Sequence, residues 1–115
     1  MKNPVLIFFF FLLTFPLALI AQPEGDGKCM AGDCDSGSGI LQLSNGDVYE
    51  GEFKNGQQHG KGKYTYINGA EYKGMWAKGK QHGKGTYTTS KGEEKHGEWQ
   101  DGKRVRWLDK AEFES

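Results

Sequence analysis

Apolar and polar residues alternate along much of the chain, and this alternation predicts β-strands. Tyr49, Gly51 and Phe53 occupy one set of alternate positions, and glutamate or lysine occupies the other set. A period of two is that of a strand with one buried face. Asn55-Gly56 follows at once, and both residue types tolerate the positive φ angles of a tight turn. A second strand is predicted near residues 63–67, so that each unit is a β-hairpin.

The hairpin pattern repeats every 23 residues. Residues 49–71 and 72–94 are identical at 12 of 23 positions, far more than unrelated segments share. The same spacing extends backwards to a divergent unit at 29–48 and forwards to an incomplete unit at 95–104. Because an isolated hairpin is marginal in water, the units are expected to be stable only as an array. The sequence therefore predicts an all-β fold, an elongated single-layer antiparallel meander of tandem hairpins.

Aromatic rings replace aliphatic side chains in the predicted core. All 18 glycines follow residue 24, and Leu, Ile and Val are scarce after Leu43. On the predicted buried face a glycine alternates with an aromatic residue, so a ring from a neighbouring strand can lie over the glycine. The repeat aromatics expected to build the core are Tyr49, Phe53, Tyr64, Tyr72, Trp76, Tyr87 and Trp99.

These units resemble the MORN repeat. The first match is Tyr49-Glu-Gly-Glu-Phe-Lys-Asn-Gly56, followed by His59-Gly-Lys-Gly62, and the second is Tyr72-Lys-Gly-Met-Trp76 with His82-Gly-Lys-Gly-Thr-Tyr87. The resemblance covers about residues 29–104 and is closest to a small exported protein of bacterial type. It implies a hairpin array without catalytic activity, used for scaffolding, dimerisation or apposition to membranes. The chain departs from the family pattern at Lys95, where Tyr is expected, and again after Lys103.

Both ends of the chain lie outside this array. Lys2, an apolar run over residues 5–20 and a small residue at Ala21 are typical of a secretory signal peptide over residues 1–21. Residues 22–28 are a short linker. An uncleaved anchor helix is the alternative, although the run is short for a membrane span. Residues 105–115 are expected to form a cap or tail, in which Trp107, Leu108 and Phe113 cover the final strand with a short helix from Asp109; a frayed terminus is the alternative.

Charge is balanced overall but uneven along the chain. Residues 22–71 hold four Lys and eight Asp or Glu, a net −4, whereas residues 72–115 hold ten Lys or Arg and seven Asp or Glu, a net +3. No excess of positive charge suggests nucleic acid as a partner. The asymmetry favours head-to-tail homo-oligomers or contact with an anionic membrane surface. The candidate contacts are Lys78, Lys80, Lys84, Lys103, Arg104 and Arg106.

Few residues suggest a chemical site. Cys29 and Cys34 are the only cysteines, and export would permit a structural disulfide between them; free thiols are the alternative. His59 and His82 recur one repeat apart, but two imidazoles fall short of the three or four ligands of a typical zinc site. Their recurrence is better explained by a role in the hairpin loops. We expect no metal and no cofactor.

The sequence favours a binding function over catalysis. No Ser-His-Asp arrangement or tuned pair of carboxylates is evident. We expect a non-enzymatic binding or scaffold module of the periplasm or extracellular space, which contacts a protein partner through the sheet surface. A membrane-surface protein that binds anionic lipid is the alternative, and a secreted enzyme or inhibitor is the least favoured class.

Overall fold

The computed structural model describes residues 27–115 and consists there of one antiparallel sheet and a short helix. The predicted signal peptide and most of the linker lie outside these residues. The strands, in chain order, are β1 (Gly27–Gly32), β2 (Gly37–Leu43), β3 (Val48–Lys54), β4 (Gln57–Thr65), β5 (Glu71–Ala77), β6 (Lys80–Thr88), β7 (Glu94–Gln100) and β8 (Lys103–Leu108), followed by α1 (Lys110–Glu114).

Each strand pairs with the strands before and after it, so the order in the sheet is the order in the chain. The predicted all-β meander of hairpins is confirmed. With strands spaced about 4.8 Å apart, eight of them extend about 34 Å across the sheet.

Three boundaries differ from those that the sequence predicts. The second strand of the first clear unit, β4, begins at Gln57 directly after the turn rather than near residue 63. At the N-terminal end β1 begins at Gly27, so the last two residues of the expected linker belong to the sheet. At the other end β8 runs to Leu108, and the last hairpin continues past the expected limit at Arg104. Trp107 and Leu108 therefore lie within the final strand instead of folding over it, and the short helix after Asp109 is as predicted.

Turns of the same geometry join the strands along one edge of the sheet. Asn55, Lys78 and Asp101 have φ angles of 53°, 53° and 52°, and each is followed by a glycine of positive φ. The glycine amide of one turn donates to a carbonyl oxygen in the hairpin before it. The recurring hydrogen bonds are Gly56 N–H to Asp35 (2.9 Å), Gly79 N–H to Gln58 (3.0 Å) and Gly102 N–H to Gln81 (2.9 Å).

The core lies on one face of the sheet, here called the front face. Its buried residues are Tyr49, Phe53, Tyr72, Trp76 and Trp99, and Tyr64, Tyr66 and Tyr87 pack against them partly buried. Consecutive rings meet edge to face at centroid distances of 4.8–6.2 Å, in the order Phe53, Tyr49, Trp76, Tyr72, Trp99 and Trp107. Edge-to-face pairs contribute about 0.5–1.5 kcal/mol each beyond the burial of their area. One aromatic chain therefore connects successive repeats.

Glycine makes room for these rings, as the sequence predicts. A Cβ atom at Gly62 would lie 2.3 Å from the Tyr49 hydroxyl oxygen, and one at Gly85 would lie 2.4 Å from the Tyr72 ring. Both distances are far below van der Waals contact, so any larger residue would displace a buried tyrosine. The Tyr49 hydroxyl donates to the Glu52 carbonyl oxygen at 2.8 Å, and the Tyr72 hydroxyl donates to that of Met75 at 3.0 Å.

Candidate binding faces of the sheet

The seven aromatic residues singled out in the sequence are structural. Five of them are at most 7% exposed, and Tyr64 and Tyr87 are partly buried. Burial raises the pKa of Tyr49 and of Tyr72 to about 12. These phenols therefore stay neutral at physiological pH and act as hydrogen-bond donors within the sheet, which makes them unsuited to proton transfer.

The first unit has its own polar anchor, Asp47, which sequence reasoning missed. Its side chain is only 7% exposed. The carboxylate accepts hydrogen bonds from the Tyr64 hydroxyl (2.7 Å), the Ile67 backbone amide (3.0 Å) and the Asn45 side chain (3.1 Å). The bond from Tyr64 is the main cause that lowers the pKa of Asp47. Asp47 therefore fastens the turn between β2 and β3 to the following hairpin.

Cys29 and Cys34 form a disulfide with a Cα–Cα distance of 5.9 Å. The bridge connects β1 to the turn that follows it, and Cys34 packs against the aromatic core. The bridge lies in the first hairpin, where only one neighbouring unit provides contacts, and it stabilises this end of the array.

The two recurring histidines lie in strands, not in hairpin loops. His59 is in β4 and His82 is in β6. Within residues 27–115 no group of three or more His, Cys, Asp or Glu side chains is placed to hold a metal ion.

The structure does not gather the six candidate basic residues into one surface. Lys78, Lys80 and Lys103 lie at the turn edge of the sheet, at the ends of β5 and β7 and the start of their partners. Arg104 is on the front face, where its guanidinium lies 4.3 Å from the centre of the Trp107 ring. Arg106 is on the opposite face and pairs with Glu98 and Glu112, both at 3.1 Å.

Lys84, the remaining candidate, instead lies with three other lysines on the face opposite the aromatic core, here called the back face. Lys63 on β4 is the direct cross-strand partner of Lys73 on β5, and Lys61 is the partner of Met75. Lys84 projects from the same face of β6. Together these residues border a groove of about 380 Å³, here called the lysine groove, whose lining is Lys61, Gly62, Lys63, Lys73, Gly74, Met75, Lys84 and Phe113.

The C-terminal helix closes one end of this groove. The Phe113 ring stacks on His96 of β7 with centroids 4.2 Å apart. The Lys84 ammonium donates to the main-chain oxygens of Glu112 at 3.0 Å and of Ser115 at 3.1 Å. The predicted cap is thus present, but it covers the back face of the last three strands rather than the aromatic face.

A second depression lies on the front face near the C-terminal end of the array. It measures about 350 Å³ and is lined by Tyr66, Gln81, Tyr87, Trp99, Arg104 and Trp107. The guanidinium of Arg104 and the ammonium of Lys95 both lie against the Trp107 ring, at 4.3 and 5.5 Å from its centre. The chain's own cations therefore occupy the aromatic surface that a ligand would use.

None of the helices in residues 27–115 is both long and apolar enough to span a membrane. The family model of the MORN repeat matches the chain three times in succession, at residues 49–71, 72–94 and 96–105. Comparison with curated proteins finds no significant match.

Proposed function

Since the chain belongs to the MORN repeat family, we propose that it is a non-enzymatic binding or scaffold module that contacts a protein partner through the surface of its sheet. The observation that carries this proposal is the single-layer architecture. The aromatic side chains fill the front face with their own contacts, and the back face of β4–β6 remains open as the lysine groove. A chain that places its polar side chains along an open face suits recognition of another molecule better than enclosure of a substrate.

The proposal includes export to the periplasm or the extracellular space. The apolar run that ends at Ala21 supports it, as does the disulfide, since disulfides persist in oxidising compartments. Mass spectrometry of the exported protein should show a mature chain that begins at Gln22. A product that keeps Met1 in the membrane fraction would instead support the anchored alternative.

Site-specific photo-crosslinking tests the binding function. A photoreactive residue in place of Met75 on the back face, which is 39% exposed, should yield a discrete crosslinked protein in the producing cell. The matched control places the same group at Lys91, in the exposed turn between β6 and β7. The same products from both positions, or none from either, would contradict a partner on the back face.

The alternative is attachment to an anionic membrane surface. The clustered lysines of the back face favour it, because each basic residue near an anionic leaflet contributes about 1 kcal/mol. Pelleting with vesicles that contain phosphatidylserine, compared with phosphatidylcholine alone, separates the two functions. Salt-sensitive binding to the anionic vesicles alone would favour the membrane.

A further inference from the structure

The side chains that line the lysine groove indicate a narrower class of ligand than the proposed function names. We propose that this groove binds an acidic segment of the partner protein in extended conformation, whose alternate carboxylates pair with the lysines of the groove. This inference rests on the proposed binding function and specifies the partner of its back face.

Two like charges occupy unfavourable positions in the groove. Lys63 and Lys73 face each other directly across β4 and β5. Like charges at directly opposed positions of a sheet destabilise it. Glu50 approaches Lys63 only to 3.9 Å, with both side chains largely exposed. Among the described residues neither Lys61 nor Lys73 forms an ion pair, so these two lysines are available to an acidic ligand.

The chain's own C-terminal residues already bind to a lysine at the border of the groove. Lys84, at the border of the groove, donates to main-chain oxygens of Glu112 and Ser115, and the Phe113 ring forms part of the groove wall. This contact joins main-chain oxygen acceptors to a lysine at the border of the groove. The rest of the groove offers three further lysine donors, Lys61, Lys63 and Lys73, around Met75.

The spacing of the lysines fits an extended peptide. Lys61 and Lys63 alternate along β4, so they lie about 6.6 Å apart on the same face. Alternate side chains of an extended peptide have the same separation. A segment that runs along β4 can therefore present one carboxylate to each lysine and direct the intervening backbone towards Met75.

The surroundings of the groove disfavour a broad polyanion. Glu50 on β3 and Glu98 on β7 flank the basic strip, and α1 rises at one end of it. A flat membrane or a nucleic-acid duplex would meet these carboxylates and the helix, whereas a single peptide segment fits between them. A groove of this volume accommodates a few residues.

The test measures binding of a fluorescent synthetic peptide with the sequence Glu-Ser-Glu-Ser-Glu to the purified protein by anisotropy. The matched peptide replaces each Glu by Gln. We expect the acidic peptide to bind, with an affinity that falls as salt rises, and the Gln peptide to bind much more weakly. The double variant Lys63→Gln/Lys73→Gln should raise the dissociation constant about tenfold, since two exposed ion pairs are lost.

A second measurement excludes loss of fold as the cause. Because the double variant removes opposed like charges, its melting temperature should equal or exceed that of the unchanged protein. The control Lys54→Gln/Lys91→Gln removes the same charge away from the groove and should leave peptide binding unchanged. An equal loss in this control, equal binding of the Gln peptide or no peptide binding at all would overturn the inference.

Two further outcomes separate this inference from the proposed function. Binding to phosphatidylserine vesicles without binding to the acidic peptide would assign the groove to a membrane and overturn the inference. A protein crosslinked at Met75 whose yield is insensitive to Lys63→Gln/Lys73→Gln would also overturn it, while the binding function itself would stand.

Discussion

The second full repeat and the last repeat fill the same space with rings from different strands. In the second repeat, Tyr72 on β5 covers Gly85 on β6, which pairs with Gly74. In the last repeat Lys95 stands where this tyrosine would be. The position on β8 that corresponds to Gly85 is Trp107, which pairs with Gly97. A Cβ atom at Gly97 would lie 3.1 Å from the Trp107 ring and 2.9 Å from that of Trp99.

The fold therefore needs a ring over the glycine at this place, Gly74 or Gly97, rather than a tyrosine at one fixed position of the repeat. When the ring moves to the neighbouring strand, the vacated position holds a lysine, whose ammonium lies 5.5 Å from the centre of the new ring. Cation–π contacts of this kind contribute about 0.5–1 kcal/mol at exposed sites. The departure from the family pattern at Lys95 is therefore compensated, and the last hairpin forms.

The largest expected effect is a difference in the free energy of unfolding between substitutions in the middle and at the end of the aromatic chain. Trp76→Ala should lower the free energy of unfolding by about 3–5 kcal/mol, because Trp76 is 6% exposed and contacts rings of two repeats. Trp107→Ala is the matched control, with a loss of about 1–2 kcal/mol because that ring is 42% exposed. Urea unfolding followed by tryptophan fluorescence and circular dichroism measures both. Equal losses would refute the ranking of the two positions.

Exchanging the ring between strands tests the comparison directly. Trp107→Gly should destabilise the last hairpin because it empties the space, and Lys95→Tyr should do so because two rings compete for it. The double variant recreates the arrangement of Tyr72 and Gly85, and should recover about 1–3 kcal/mol relative to the sum of the single losses. A double-variant cycle by thermal and urea unfolding gives this coupling. Additive losses would show that the two positions do not share one space.

The opposite end of the array supplies a test by pH. Asp47 occupies the position that Ala70 holds one repeat later. Its folded-state pKa is lowered, so its stabilising effect should be complete above about pH 4, the ordinary pKa of an aspartate. The effect should disappear as the pH falls through the lower folded pKa. Asp47→Asn should cost about 1–2 kcal/mol at neutral pH and flatten this part of the stability profile. If the stability of Asp47→Asn varied with pH as that of the unchanged protein does, this carboxylate would not be the source of the pH dependence.

The smallest effect concerns the helix at the end of the back face. The Asp109 side chain accepts from the Glu112 amide at 2.8 Å, and the Glu112 side chain accepts from the Asp109 amide at 3.0 Å. Asp109→Ala should therefore weaken α1 by about 1 kcal/mol without unfolding the sheet. Hydrogen exchange should accelerate at residues 110–115 and remain unchanged in β5. Lys110→Ala is the control, and a comparable acceleration there would contradict the capping role.

The alternation of glycine with aromatic residues was sufficient to predict the hairpins, the meander and the identity of the core rings. It was insufficient at the last hairpin. There the Trp107 ring, on the neighbouring strand, replaces the tyrosine ring that is missing at Lys95. This replacement depends on strand pairing rather than on position in the repeat. For the same reason, charge sums along the chain did not indicate which basic residues share a face of the sheet. Arg104 and Arg106 are neighbours in the sequence but face opposite sides of the sheet. Lys63 and Lys73 are ten residues apart and meet directly.

The ladder of turn hydrogen bonds along one edge bears on how such a protein changes length during evolution. Each bond joins an amide to a carbonyl 21 residues earlier, as from Gly79 to Gln58 and from Gly102 to Gln81. A tandem duplication of residues 49–71 would give the inserted copy the same donors and acceptors on both sides. Such an insertion would need no compensating substitution and would widen the sheet by two strands, about 10 Å. Gene duplication in whole units of 23 residues would therefore preserve the ladder of turn hydrogen bonds while it enlarges the surface of the sheet.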